Sequence, residues 1–180
     1  MALTTTAAST SANSYADTTY ATSYFDLTGR KAEWDAVANV SALAQEQALY
    51  DAMLGIEAQD YIGTRSTRTQ ALQWPRVRNG STWEDTTELA ALKWYDLRGR
   101  QWISNVVPAT VKDAQCEQAL ALATNPHWLN DRYKRKTVSV GDTVLDVALP
   151  ADLGKLCQAA MLKLDGLLLA GGSVRRLLRS

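Results

Sequence analysis

The sequence predicts a mainly α fold: a helical bundle with one β-hairpin, a flexible N-terminal arm and an extended C-terminal tail. Three observations predict it. Apolar residues recur at helical spacing in several separate segments, the period changes to two over one stretch around residue 140, and neither pattern reaches the ends of the chain. A chain of 180 residues with 46% hydrophobic side chains holds one domain with arms and has enough apolar surface for a real core. The reading divides it into an arm over 1–13, a helical domain over 14–170 and a tail over 171–180.

Residues 2–14 are rich in Thr, Ser and Ala and show no periodicity, which reads as an arm. Asn13 or Ser14 is the expected cap of a first helix over about 16–27, carrying Tyr20, Tyr24 and Leu27 and stopped by Gly29. Ser41 is the expected cap of a second helix running to about Tyr61, with a stripe of Leu49, Ala52, Met53 and Ile56 interrupted by Gly55. Residues 63–80 read as irregular, and Trp74 is biased to an extended conformation by Pro75.

Ser81-Thr-Trp-Glu84 has the form of a capping box, which predicts a short helix to about Leu97, broken by Gly99. Pro108 opens a helix over about 108–124. Its apolar residues fall on two sides, Val111, Ala114 and Leu122 on one and Cys116, Leu120 and Ala123 on another. A helix apolar on two sides belongs in the centre of a core or between subunits. β-branched and polar residues then alternate around Gly141-Asp142, which predicts a hairpin over about 136–148. The last helix is expected over about 151–170, with Leu153, Leu156, Cys157, Ala160, Leu164, Leu167 and Leu168 as its stripe. Leu162 and Leu169 fall on its polar face, a candidate subunit contact.

Gly171-Gly172 ends that helix, and the tail that follows is not the composition of a solvated terminus. Val174, Arg175, Arg176, Leu177, Leu178 and Arg179 combine aliphatics and cations, which fits a peptide that docks on another chain or folds back on its own domain. Formal net charge is zero, but residues 1–60 hold eight acidic and two basic residues while residues 61–180 hold seventeen basic and eleven acidic. Such polarity suits head-to-tail stacking with copies of the same chain, or a place between unlike partners.

The chemistry that an enzyme needs is absent from the sequence. The one histidine, His127, has no local orienting partner. Cys116 and Cys157 have no metal-binding spacing and read as buried thiols inside helices of a reduced protein. There is no phosphate-binding glycine loop. Glu46, Asp51 and Glu57 read as solvated helix faces. No catalytic residue, metal or cofactor is expected. Neither a secretory leader nor a run of the roughly 18 apolar residues of a membrane span is visible. Trp74-Pro-Arg-Val-Arg78 and Arg98-Gly-Arg-Gln-Trp102 loosely match the aromatic-basic composition of base-stacking proteins, although tryptophan is more often a core or interface anchor. The run holding Arg132, Lys134, Arg135 and Lys136 faces DNA phosphates, faces an acidic partner, or is a solvated lead-in to the hairpin.

Taken in order, several segments form a set: Ala12-Asn-Ser-Tyr-Ala16; Glu46-Gln-Ala-Leu followed by Ala58-Gln-Asp-Tyr-Ile62; Gln70-Ala-Leu-Gln-Trp-Pro-Arg76; Val107-Pro-Ala-Thr-Val-Lys-Asp-Ala114; Glu117-Gln-Ala-Leu-Ala-Leu122; the basic lead-in to Val138-Ser-Val-Gly141; and Leu167-Leu-Leu with its basic tail. This set resembles the head–tail connector (adaptor) proteins of tailed bacteriophages, many of whose sequences also carry a DnaT-like single-stranded-DNA-binding label. It covers most of residues 12–180 and departs from the family between Asn79 and Tyr95, where relatives have a shorter link. The resemblance implies a non-enzymatic structural subunit of the virion, assembled in the host cytoplasm. It implies a ring, typically dodecameric, below the portal protein, with the C-terminal segment inserted in the portal and tail or nozzle proteins docked beneath. Its partners would be neighbouring copies, portal and tail, with double-stranded DNA in transient passage and no membrane. Arg132, Lys134, Arg135 and Lys136 would line or rim the channel. The competing expectation is a single-stranded-DNA-binding replication accessory module.

Overall fold

A computed structural model describes residues 2–41, 43–77, 93–124, 135–140, 143–148 and 156–169. Five helices organise the described residues: α1 (Thr18–Leu27), α2 (Lys31–Ala38), α3 (Ala44–Glu57), α4 (Ala109–Thr124) and α5 (Gln158–Leu164). Strands pair in three separate two-stranded antiparallel ladders: β1 (Thr64–Arg65) with β2 (Arg76–Val77), β3 (Lys93–Tyr95) with β4 (Gln101–Ile103), and β5 (Arg135–Val140) with β6 (Thr143–Ala148). The chain is mainly α, as its periodicity predicts, and β5–β6 is the expected hairpin; its turn at Gly141-Asp142 lies outside the described residues.

α4 is the central element. Val111 and Ala114 face one core cluster with Met53, Ile56, Ala160 and Leu164. Cys116, Ala119 and Leu120 face a second with Phe25, Trp34, Leu49 and Ala52. The two-sided apolar pattern is therefore satisfied within one chain, with Leu122 joining the second cluster rather than the first. α3 spans both clusters. Its Gly55 leaves room for Leu156, whose Cδ2 lies 3.3 Å from where a Cβ would stand. Each large side chain buried this way contributes about 2–3 kcal/mol.

The elements differ from the sequence reading in five places. α1 starts later because its cap is Asp17, whose Oδ1 accepts from the Tyr20 amide at 2.8 Å, rather than Asn13 or Ser14. Those two residues are engaged elsewhere: Asn13 Oδ1 accepts from the Thr4 amide, and Ser14 donates to the Ala16 carbonyl. α2 was not visible as a separate helix, since only Trp34 and Val37 of its eight residues are buried. α3 has no side-chain cap, and Ser41 accepts only through its backbone carbonyl. Of the helix expected over 81–97, residues 81–92 lie outside the description, and 93–95 form a strand. Gly99, at φ +75°, reverses the chain so that Trp94 pairs with Trp102. The last helix is shorter than expected. Cys157 is its N-cap rather than an internal residue, and Gly166, at φ +90°, ends it before Leu167 and Leu168.

The N-terminal arm has no helix or strand. It folds back on itself through Thr4 and Asn13, and the Ala71 amide donates to its Ser9 carbonyl at 3.0 Å. Its inner end is fixed by Gln115 of α4. That amide accepts from the Tyr15 and Ala16 amides at 2.9 Å each and donates to Ser14 Oγ and the Leu49 carbonyl at 2.7 Å each. A fully buried amide with four partners has all its hydrogen-bonding capacity used. No helix among the described residues is long and apolar enough to cross a membrane.

Candidate assembly surfaces

The irregular segment between α3 and β2 is built from the inside by the Gln70–Arg76 motif. Gln70 is buried and bonds both sides of its own loop, accepting from the Thr67 amide and donating to the Leu72 and Pro75 carbonyls. Arg76 donates to the Tyr61, Ile62 and Gly63 carbonyls and to Gln73 Oε1. Its guanidinium lies 5.7 Å from the Tyr61 ring centroid. These donors replace the ladder partners that the carbonyls lack. Trp74 packs edge-on against Tyr61 with its bulk buried, and the Trp74–Pro75 bond is cis. Glu57, read from the sequence as a solvated residue, accepts instead from the Tyr15 hydroxyl and the Gln73 amide. Burial raises its pKa against the effect of those donors. Burial pushes the Tyr15 hydroxyl well up, helped by the adjacent Glu57, and lowers Arg76. This motif is a structural keystone; its polar groups are occupied by the fold.

A second polar cluster ties α1 and α2 to α4 and α5. Tyr20 donates to Asp113 at 2.9 Å, Tyr24 to Glu117 at 2.7 Å, and Arg30 bonds Glu117 at 2.8 Å. Lys112 sits 5.2 Å from the Tyr20 centroid and Lys163 5.1 Å from the Tyr24 centroid. Burial, then the bonds to Asp113 and Glu117, raise both tyrosine pKa values. For Arg30, burial acts downward, but its bonds to Glu117 prevail and raise it. Aromatic rings and cations do meet here, as in base-stacking sites. Each ring, however, already has a cation over it and a carboxylate on its hydroxyl.

The end of α5 is a junction. The Leu97 amide donates to the Gly166 carbonyl, Arg100 to the Asp165 carbonyl, and Arg98 pairs with the Asp165 carboxylate. On the other side, the Ile62 amide donates to Leu167 and the Leu169 amide to Asp60, both at 2.9 Å, with a bridge between Tyr61 and Leu168. Residues 165–169 are thus held between the β3–β4 turn and the end of α3, directly before the segment that begins at 170. Leu97, Leu162 and Leu169, on these segments, are 66%, 66% and 50% exposed.

The structure places the expected site residues unevenly. Leu162, in α5, and Leu169, after it, are exposed. Arg135 and Lys136 begin β5. Arg132, Lys134, His127 and the tail Val174, Arg175, Arg176, Leu177, Leu178 and Arg179 lie outside the described residues, as do Trp83 and Trp128. Trp34 and Trp74 are core residues with 0% and 2% exposure, so neither offers a face to a base. Cys116 is buried, and burial raises its pKa. No group of three or more His, Cys, Asp or Glu among the described residues could hold a metal. Sequence reasoning missed Gln115, Gln70 and Glu117. A buried polar residue in a helical stripe looks like a break in the stripe, and only its partners reveal its role.

Residues 1–169 match a family model described as "Putative DnaT-like ssDNA binding protein". No curated protein and no solved structure matches the chain.

Proposed function

The chain belongs to the DnaT-like ssDNA-binding protein family, and within that family we propose that it is a structural head-to-tail adaptor of a tailed phage. In this reading copies close into a ring under the portal, extend the DNA channel and present a lower rim to tail or nozzle proteins. The observation that carries the reading is the junction at the end of α5. Residues 165–169, bonded to the β3–β4 turn on one side and to the end of α3 on the other, immediately precede the segment that holds 171–180, and Leu97, Leu162 and Leu169 on these segments are exposed. A rigid departure point lowers the ordering cost of a docking peptide, and a ring of tails gains further by multivalency. The split between an acidic N-terminal third and a basic remainder suits a heterologous interface that closes.

The family description favours a second reading, a single-stranded-DNA-binding accessory module. That module needs aromatic faces open in a basic groove. The described aromatic-cation pairs argue against it, because Tyr20 and Tyr24 are engaged by Asp113 and Glu117.

Deletion of 171–180 separates the two. The adaptor reading expects a folded chain that no longer joins its cognate portal in electron micrographs, whereas full-length chain stacks coaxially on it. Full-length chain that stays apart from the portal, yet binds labelled single-stranded DNA with a steep salt dependence, establishes the accessory module instead.

A further inference from the structure

The outer face of α3 is unusual for a solvent-facing helix side. While Leu49, Met53 and Ile56 turn into the cores, the positions Leu43, Gln47, Asp51, Leu54 and Ala58 recur every three or four residues and share the opposite face. Leu43 and Leu54 are 56% and 47% exposed, and Gln47 and Ala58 are exposed with them. The face is also acidic. Residues 41–62 hold Glu46, Asp51, Glu57 and Asp60 and no lysine or arginine. Among the described residues no cation pairs with Asp51 or Asp60. Asp51 accepts only from the neutral Gln47 amide, at 3.1 Å.

The chain itself leads a complementary segment to this face. Residues 167–169 run antiparallel to 60–62, through the Tyr61–Leu168 bridge and the bond from the Leu169 amide to the Asp60 carbonyl. At Leu169 the chain is therefore heading past Asp60 toward the C-terminal end of α3. The next residues in sequence are Ala170 and two glycines, which admit a turn of either hand. Residues 173–179 then offer three aliphatics, three arginines and no acid. Ten residues at about 3.3 Å each reach well beyond the roughly 21 Å of α3. The other exposed apolar face near this point, Tyr95 and Ile103 of the β3–β4 ladder, is shared with Lys93, so an arginine-rich segment meets a like charge there.

We propose that the outer face of α3 is the docking site for the chain's own 171–180 segment. The aliphatics cover Leu54 and Leu43, and the arginines meet Asp51 and Asp60. Surface ion pairs are individually weak, but the tether supplies an effective concentration on the order of millimolar, so a weak contact stays largely formed. The contact stands without the adaptor reading. Within that reading, the portal competes with α3 for the same segment.

The test uses the full chain. Amides of 173–179 in wild type exchange roughly tenfold more slowly than those of the same sequence as a free peptide. Asp51→Lys with Asp60→Lys removes that protection, and so does Leu54→Gln; circular dichroism checks that the helices persist. Adding Arg175→Glu and Arg176→Glu to the lysine pair restores protection. In an Arg176→Lys chain, carbodiimide couples position 176 to Asp51 or Asp60 within one chain, which mixtures of light and heavy isotope-labelled chains distinguish from links between copies. Wild-type amides that exchange at the free-peptide rate overturn the proposal. Protection that survives both α3 variants, or links found only between copies, also overturns it. Protection lost in those variants from a chain that never joins the portal upholds the contact and overturns the adaptor reading instead.

Discussion

Arg76 and Asp96 show how single charged groups replace regular structure in the irregular parts of the chain. The Arg76 fork reaches three successive carbonyls, a geometry that a lysine ammonium on its flexible stem does not reproduce. Arg76→Lys is expected to lower stability by about 2–3 kcal/mol in urea unfolding, with the m-value unchanged. Asp96 closes the β3–β4 turn. Its Oδ1 accepts from the Arg98 and Arg100 amides at 2.8 Å each, and its Oδ2 from Arg100 Nε at 2.7 Å. Burial works against the charged form, but these bonds outweigh it and hold the carboxyl below the usual aspartate range. The unfolded chain therefore binds the proton first. The stabilisation is complete above the ordinary aspartate pKa and is lost as pH falls through the lower folded value. Asp96→Asn is expected to cost about 1–3 kcal/mol near neutrality. Its deficit against wild type narrows below about pH 4, which parallel denaturant titrations check. The Asp96 and Arg76 roles were not legible in sequence, because neither residue lies in a periodic segment: Asp96 bonds the turn two and four residues on, and Arg76 bonds carbonyls 13 to 15 residues back.

At the scale of elements, Gly166 decides where the last helix ends and what docks there. Its φ of +90° disfavours any side chain, and an added Cβ would meet Arg98, Arg100 and Asp96 at 3.1–3.3 Å. Gly166→Ala is expected to cost about 1–3 kcal/mol and to release the β3–β4 turn. Faster hydrogen exchange at the Leu97 amide, with α4 still protected, is the signature. Trp34 plays the opposite part, since it holds the short α2 in place by packing on Phe25 at 5.2 Å between centroids. Trp34→Ala is expected to cost about 3–5 kcal/mol by thermal unfolding. α1, α3 and α4 were legible because their stripes are long. α2 was not, since two buried residues in eight make no stripe, and strands of two or three residues are too short for alternation to register.

For the whole molecule, the two core clusters on either side of α4 bind the N-terminal third to α4 and α5. The adaptor reading expects its portal contact at the C-terminal tail, 171–180. In the adaptor reading DNA passes without being gripped, so single-stranded DNA should bind weakly and with a shallow salt slope. Fluorescence anisotropy across a salt series measures it, and a slope of several released ions would contradict the expectation.

The sequence by itself determined the helical class, the two-sided apolar pattern of α4, the β5–β6 hairpin and the unusual composition of 171–180, because each rests on a local pattern of spacing or residue type. Only the tertiary structure decided the rest. It made Gln115, Gln70, Glu57 and Arg76 interior partners, put Trp34 and Trp74 in the core, and stopped the last helix at a junction with the β3–β4 turn. These outcomes depend on which distant backbone groups lack partners after the helices pack, and no local sequence pattern carries that information.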